Sequence, residues 1–399
     1  MSAYGSYRPV RLSPQRGVIG RALAKDSPLR RLDWIMILAA LALSLGSSLL
    51  VWSATRGRDS LTHGDPQYFL YRHLTNLMIG LVLCGTVIVI GVRRVRTAVP
   101  FIYLAVIGIL LAALSPLGSR VNGAHSWIQF GGGFSLQPAE FAKLAIVFGM
   151  AVVLSARVDA GERAIPSDKS VLQALALAAV PMAVVMLMPD LGSVMVMAVT
   201  IMGILLVSGA PNRWVFGLLT AGGLGAVAIW KLGVLSKYQI DRFAAFANPA
   251  LDPAGVGYNT AQARIAIGSG GLTGMGLFHG TQTTGQFVPE QQTDFVFTVA
   301  GEELGFVGGL TLILLLGIVL WRACRIARQA TDLYSTILAG GVIAWFAFQG
   351  FENIGMTLGI MPVAGIPLPF VSYGGSSMFA VWMAVGILQS VRSQRPIGT

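Results

Sequence analysis

The sequence predicts an all-α membrane protein that crosses the bilayer about ten times. Hydrophobic residues make up 54% of the 399 positions, charged residues make up 11%, and the mean hydropathy is +0.70. A soluble domain carries about 25% charged residues, so this composition excludes a soluble globule. The apolar runs reach about twenty residues, as a membrane-spanning helix requires. They are too long and too uniformly apolar for the alternating strands of a membrane barrel.

Ten apolar runs are predicted to span the membrane. They cover residues 33–53, 73–91, 98–115, 136–156, 171–188, 190–209, 214–233, 294–320, 334–357 and 372–391. A large extracytoplasmic loop, about 234–293, separates the seventh span from the eighth. The predicted organisation is a basic, disordered cytoplasmic tail over 1–32, a transmembrane domain over 33–391 and a cytoplasmic tail over 392–399.

The formal net charge of +11 follows the membrane and does not indicate nucleic-acid binding. With the N-terminus in the cytoplasm, 19 of the 28 Lys and Arg residues fall in cytoplasmic segments, in agreement with the positive-inside rule. Both termini are therefore predicted to be cytoplasmic. Cys84 falls inside a span and Cys324 on the cytoplasmic side, so neither a disulfide nor a cysteine metal motif is expected.

Several polar residues that do not belong in lipid share one depth, near the predicted outer face. They are Glu140, Lys143, Asp190, Asp294, Glu352, Asn353, Ser372 and Tyr373. Ionisable residues at membrane depth are candidates for a functional site. Their shared depth predicts a polar cavity that opens to the outside. A proton or ion path would instead place charges through the whole bilayer.

Asp294 is the main candidate for a catalytic residue. It follows the polar stretch 289–293 at the mouth of the eighth span, where an ordinary helix cap is the alternative interpretation. Glu140 and Lys143 are three residues apart, so they share a helix face and can form an ion pair. The pair either positions an anionic substrate or only neutralises its own two charges at the start of the helix. Asp190 is likewise either a substrate ligand or a helix cap.

Two glycine-rich stretches and one proline-rich stretch lie beside these residues. The glycine-rich stretches, 268–276 and 374–377, either bind phosphate through freed backbone N–H groups or serve only as flexible loops. Three prolines within 362–369 exclude a regular helix, so this segment is predicted to form part of the cavity rim. Glu302 and Glu303 are expected to have a structural role in the eighth helix.

Ordered motifs across residues 33–391 resemble the SEDS family (shape, elongation, division and sporulation) of polytopic peptidoglycan polymerases. The matching stretches are 122–132, which includes Trp127; 137–143; 189–192; 257–262, which ends at Gln262; 265–271; 289–295; and 367–377. Residues 280–290 and 361–367 resemble the elongation-type RodA branch, with the division-type FtsW branch as the near alternative. Met188, Met275 and Gln292 depart from the family's usual Gln, Lys and His. The missing Lys puts anion binding by the 268–276 stretch in doubt.

The resemblance implies polymerisation of lipid II, an undecaprenyl-pyrophosphoryl disaccharide-pentapeptide, into β-1,4-linked glycan outside the bacterial cytoplasmic membrane. The family's essential acid maps onto Asp294, which would act as the general base on the acceptor's 4-hydroxyl. The candidate substrate-binding residues are Trp127, Glu140, Lys143, Asp190, Arg242, Gln262, Arg264 and Ser372. The departing pyrophosphate needs positive charge or hydrogen-bond donors. The candidates are Lys143, Arg242, Arg264, the glycine-rich backbone of 268–276 and a divalent cation, and the sequence leaves this choice open.

The chain has no Ser-x-x-Lys motif and no outer domain of transpeptidase size, so crosslinking is expected to come from another protein. The resemblance implies that this partner is a class B penicillin-binding protein. Two other functions remain as alternatives. A lipid II flippase would carry charges near the bilayer midplane and internal repeats, neither of which this sequence displays. A scaffold without chemistry would tolerate loss of the Asp294 carboxylate.

Overall fold

The computed structural model describes residues 31–62, 64–121, 124–130, 134–233, 246 and 255–394. Most of both predicted tails lies outside these residues, as does Arg242 in the predicted outer loop.

Within the described ranges the chain forms fourteen helices and three strands. The helices are α1 Trp34–Thr55, α2 Asp59–Thr62, α3 Tyr68–Ile90, α4 Val92–Leu114, α5 Pro138–Asp159, α6 Asp168–Leu187, α7 Leu191–Val207, α8 Asn212–Lys231, α9 Val256–Ser269, α10 Thr281–Thr284, α11 Val296–Glu303, α12 Gly305–Arg328, α13 Leu333–Leu358 and α14 Gly375–Ser393. The strands are β1 Gly118–Val121, β2 Ala124–Phe130 and β3 Phe134–Leu136.

Helices occupy the positions of all ten predicted spans. Seven of them, α1, α3, α4, α5, α6, α12 and α13, are long and apolar enough to cross a membrane. Helix α7 is also apolar but has only 17 residues. The prediction of a mainly helical, multi-pass membrane protein is confirmed, whereas the number ten stays a prediction.

The eighth predicted span, 294–320, is not one helix, and this prediction was wrong. Helix α11 ends at Glu303, and α12 begins at Gly305, whose backbone φ is +65°. This left-handed conformation, which glycine adopts without steric penalty, interrupts the helix. The first turn of α12 donates backbone hydrogen bonds to the carbonyls of Gly271 and Leu272, at 2.9 and 3.1 Å. A loop distant in sequence therefore caps the new helix.

A small antiparallel sheet, in the order β1-β2-β3, connects α4 to α5. Ser119 pairs with Trp127 across β1 and β2, and Gln129 pairs with Ser135 across β2 and β3. These strands were not predicted, because the all-α prediction rested on the apolar runs and the sheet lies between two of them.

Helices α5 and α13 form the centre of the bundle. The apolar windows of both are 67% buried, compared with 22% for α4, which is therefore peripheral. Small residues permit the close packing of α13. A β-carbon at Gly341 would lie 3.0 Å from Val147 of α5, and one at Gly203 of α7 would overlap Ala344.

Polar contacts join the helix ends that are predicted to be cytoplasmic. The Asp33 carboxylate, at the start of α1, pairs with Arg322 of α12 and Arg392 of α14, each at 2.6 Å. Arg96, near the start of α4, pairs with Asp159 at the end of α5 at 2.9 Å. At the opposite end, the starts of α5, α7, α11 and α14 meet the end of α13, and the candidate site lies there.

Candidate active site

The irregular segment 359–373, here called the proline-rich loop, joins α13 to α14 and lies beside several of the candidate residues. The start of α7 packs on it, because a β-carbon at Gly192 would lie 2.5 Å from the carbonyl oxygen of Ala364. Ser372 holds the loop together: its Oγ accepts a hydrogen bond from the Leu368 N–H at 2.7 Å. Ser372 is buried, so its predicted contact with substrate is replaced by a structural contact.

Asp294 is half-buried at the entrance to α11. Its backbone N–H donates to the carbonyl of Glu290 at 3.1 Å. Its carbonyl oxygen accepts a hydrogen bond from Asn353 Nδ2 at 2.8 Å, and the same amide nitrogen donates to the Ile366 carbonyl at 2.8 Å. The amide thus joins Asp294 to α13 and the proline-rich loop. The cap of α11 is Phe295, one residue later, so Asp294 precedes the helix.

The turn before Asp294 is fixed from two sides. Arg58 donates to the Val288 carbonyl at 3.1 Å and to Gln292 Oε1 at 3.4 Å. The Tyr373 N–H donates to the Gln292 carbonyl at 2.8 Å. Burial lowers the pKa of the Arg58 guanidinium below its ordinary value, and the nearby charge of Glu290 offsets only part of this effect. An arginine and the proline-rich loop therefore hold the turn that presents Asp294.

Glu140 and Lys143 form the predicted ion pair, with Lys143 Nζ 2.7 Å from Glu140 Oε1. The ammonium also donates to Gln349 Oε1 at 2.8 Å and lies 4.9 Å from the centroid of the Trp345 ring. Both members of the pair are only 1% exposed, so the prediction that they line an open cavity was wrong. Gln349 Nε2 donates to the Pro367 carbonyl at 2.8 Å, which connects the pair to the proline-rich loop.

Asp190 is the N-cap of α7, as the structural alternative proposed. Its carboxylate accepts hydrogen bonds from the Ser193 N–H at 3.0 Å and from Ser193 Oγ at 2.8 Å. It also accepts one from Gln137 Nε2 at 3.2 Å, so it ties the start of α7 to the start of α5. The side chain is half-buried.

The remaining predicted substrate residues lie on other elements. Arg264 is exposed on α9, and its Cδ lies 3.1 Å from where a β-carbon on Gly359 would be. Gln262 is half-buried on the same helix. Trp127 is half-buried in β2. The structure thus brings Arg264 to the proline-rich loop and leaves Trp127 in the sheet.

The last residues of the glycine-rich stretch 268–276 have a structural function, which disfavours the phosphate-binding alternative there. The N–H groups of Met275 and Gly276 donate to the carbonyls of Glu302 and Glu303, each at 3.0 Å. These donors are therefore not available to an anion. A β-carbon at Gly274 would overlap the Glu303 carbonyl, so glycine is required there.

Glu302 has the structural role that its position suggested. Its carboxylate accepts hydrogen bonds from the N–H groups of Gln282 and Thr283, at 2.7 and 2.9 Å, and from Thr283 Oγ1 at 2.7 Å. It therefore fixes α10 against the break between α11 and α12.

Two residues at the site, Arg58 and Gln349, were not among those predicted to lie there, whereas Asn353 was expected at the cavity from its shared depth. A signal existed for Gln349, because an amide side chain inside an apolar span needs buried partners. No comparable signal marked Arg58. In the described part of the chain, no three His, Cys, Asp or Glu side chains are grouped to hold a metal ion.

Comparisons with known proteins agree with this architecture. The family model of the FtsW, RodA and SpoVE cell cycle proteins matches residues 31–396. The peptidoglycan glycosyltransferase MrdB of Escherichia coli K12 is 35% identical over 364 residues, covering 91% of this chain and 94% of that protein. Stage V sporulation protein E of Bacillus subtilis is 36% identical over 370 residues, covering 92% and 97%.

Solved structures give the same result. A chain from a peptidoglycan synthase complex that coordinates polymerization and crosslinking has a TM-score of 0.74 at 28% identity, covering 90% of this chain and 97% of that one. The rod shape determining protein RodA of Thermus thermophilus has a TM-score of 0.65 at 28% identity, covering 90% and 96%. This chain belongs to the SEDS family of FtsW, RodA and SpoVE proteins.

Proposed function

We propose that this chain is a peptidoglycan glycosyltransferase that polymerises lipid II into β-1,4-linked glycan. The family and the relatives named as peptidoglycan glycosyltransferases support this activity. The observation that carries it here is the placement of Asp294. Asp294 is half-buried at the entrance to a short helix. Its carbonyl accepts a hydrogen bond from Asn353 and its N–H donates one to the Glu290 carbonyl, so its backbone is fixed on both sides.

The reaction is a single inverting displacement. The acceptor's 4-hydroxyl oxygen attacks the anomeric carbon of the donor sugar while Asp294 takes the hydroxyl proton. The bond from that carbon to the pyrophosphate oxygen breaks, and undecaprenyl pyrophosphate leaves with the electron pair. An α-linked donor thereby becomes a β-linked product, and one base suffices.

Positive charge must meet the departing pyrophosphate. Arg264 is the predicted cation best placed for this, because it is exposed and lies against the proline-rich loop. Lys143 is enclosed and its ammonium already contacts Glu140 and Gln349, so we assign it to positioning that loop. Asp190 positions the starts of α5 and α7. Gln262, Trp127 and Arg242 remain candidates for contacts with the sugar or the pyrophosphate.

In the bacterial cytoplasmic membrane, we infer ten spans with both termini in the cytoplasm and the segment between α8 and α11 outside. The grouping of helix ends supports this arrangement, since the Asp33, Arg322 and Arg392 cluster lies at one end and Asp294 at the other. The polar segment that leads to Asp294 would then meet lipid headgroups and the growing glycan.

The partner is inferred to be a class B penicillin-binding protein that crosslinks the new strands. The similar synthase complex, which coordinates polymerization and crosslinking, supports such an assembly. The RodA-like motifs favour a role in elongation and cell shape over division or sporulation.

A reconstitution experiment separates the enzyme from a flippase or a scaffold. The purified chain and its transpeptidase partner are placed in liposomes with fluorescent lipid II. Glycan polymer is the expected product. Transfer of label between leaflets without polymer would identify a flippase. If neither polymer nor label transfer is observed, a scaffold function is the remaining alternative. Repeating the assay with a chelator tests whether a divalent cation is required.

A further inference from the structure

One layer of the bundle centre contains more buried acceptor atoms than donors. The layer consists of Glu140 and Lys143 on α5 and Gln349, Glu352 and Asn353 on α13. Within the described residues, four oxygen atoms of this layer have no hydrogen-bond partner. They are Glu140 Oε2, Glu352 Oε1, Glu352 Oε2 and Asn353 Oδ1. All three of these side chains are at most 1% exposed.

Helix geometry places Glu140 and Glu352 on facing surfaces. Gly341 of α13 packs against Val147 of α5. Glu352 follows Gly341 by eleven residues and Glu140 precedes Val147 by seven, so each lies only about 20° around its helix from that contact. Both carboxylates lie on the side of the contact that is nearer to Asp294. Lys143 Nζ bonds Glu140 and also Gln349, one turn before Glu352, which brings the two helices together at this depth.

Each side-chain nitrogen of the layer already donates at least one hydrogen bond. The Lys143 ammonium bonds Glu140 and Gln349 and faces the Trp345 ring. The nitrogen of the Gln349 amide donates to the Pro367 carbonyl, and that of Asn353 donates to two carbonyls. None of them is directed at Glu352. A donor or a positive charge from outside the layer must therefore meet its carboxylate.

The residues of the layer also indicate the charge of the group that would meet the Glu352 carboxylate. With both carboxylates ionised, two carboxylates and one ammonium give the layer a net charge of −1. A neutral water would leave that buried charge uncompensated, which is costly in a protein interior. A single proton on Glu352 would donate to only one of the other oxygens. A bare ion can contact several oxygens at once, and oxygen-only ligands suit hard cations.

We propose that Glu352, the second carboxylate oxygen of Glu140 and the Asn353 oxygen bind one monovalent cation of the sodium class. This ion would fasten α5 to α13 beside the amide that holds the Asp294 carbonyl. The site goes beyond the proposed glycosyl transfer, because binding is measured without lipid II and does not depend on it.

The test is equilibrium binding of radioactive sodium ion to the purified full-length protein in detergent, with choline chloride maintaining ionic strength. The expected result is about one ion per chain, with at least a tenfold loss of affinity in Glu352→Gln. The control is Glu162→Gln, an exposed carboxylate in the turn after α5, which should bind sodium like the wild type. Absence of binding to the wild type, or equal binding by Glu352→Gln, would overturn the proposal.

Thermal unfolding provides a second measurement that does not depend on the tracer. Sodium should raise the Tm of the wild type and of Glu162→Gln relative to choline, and it should not change the Tm of Glu352→Gln. The Tm of Glu352→Gln in choline shows whether this variant is folded, and we expect it to match or exceed that of the wild type because a buried charge is removed. A wild-type Tm that depends on pH but not on sodium would assign the position to a proton and overturn the cation site.

Discussion

The side-chain amide of Asn353 donates a 2.8 Å hydrogen bond to the backbone carbonyl of Asp294, although the two residues are 59 positions apart. The same nitrogen reaches the carbonyl of Ile366 at 2.8 Å. One side chain in the middle of the bundle thus sets the position of the candidate base relative to the proline-rich loop. Asn353 does not touch the reacting atoms in this account, so it is a positioning residue.

Replacing Asn353 with Ala should therefore lower polymer formation without abolishing lipid II binding. Two carbonyls would lose their donor, at about 1–3 kcal/mol for each buried group left unsatisfied. Polymer yield against lipid II concentration and the Tm measure the two effects. Thr357→Ala is the control on the same helix, because Thr357 Oγ1 bonds only the Ile354 carbonyl of its own turn. Equal activity in both variants would contradict a positioning role for Asn353.

The Glu140–Lys143 pair should behave as a buried structural unit. Lys143→Met alone leaves an uncompensated carboxylate and should destabilise the protein by about 3–5 kcal/mol. The double variant with Glu140→Gln should recover most of that stability. If the pair only positions the proline-rich loop, the double variant lowers kcat and leaves KM for lipid II unchanged. A raised KM with unchanged kcat would instead show direct contact with the substrate.

The spacing of Glu140 and Lys143 was sufficient to predict their ion pair, because side chains three residues apart on a helix meet without help from tertiary structure. Their enclosure was not predictable, since it depends on Gln349 and Trp345 from a helix two hundred residues away. The broken eighth span was missed for the same reason. Glu302 and Glu303 interrupt the apolar run across 294–320, but the run has the length of one span, and the break at Gly305 is stabilised by carbonyls of a distant loop. The position of Asp294 at a helix entrance was predictable because its polar neighbours are local, and its role as the base stays a prediction.

The packing of the glycine-rich stretch against the helix break gives a sharp test of that break. Gly274 has a φ of +82° and no room for a side chain next to Glu303, so Gly274→Ala should destabilise the protein and expose the α11–α12 junction to hydrogen exchange. Gly268→Ala is the matched control, because nothing lies within 4 Å of its added β-carbon and it is inside α9. That control should be neutral or stabilising by about 0.5–1 kcal/mol. Similar exchange in both variants would contradict the described packing.

The cluster around Asp33 should contribute more to stability than the surface pair of Asp168 and Arg213. Asp33 is completely buried between two arginines, and Asp33→Asn should destabilise the protein by about 3–5 kcal/mol because it leaves both charges without their partner. Asp168 and Arg213 are both largely exposed, so Asp168→Asn should change little. The Tm of each variant in detergent measures the difference. Comparable losses would show that the Asp33 side chain is solvated.

The most direct measurement is the yield of glycan polymer from labelled lipid II by the Asp294→Asn variant in complex with its partner. Asn keeps the shape of the side chain and removes the base, so we expect polymer to fall by about 10²–10⁴ while the Tm and assembly of the complex are unchanged. Asp65→Asn, an exposed carboxylate between α2 and α3, is the control and should polymerise normally. Wild-type polymer yield from Asp294→Asn would contradict the assignment of Asp294 as the base.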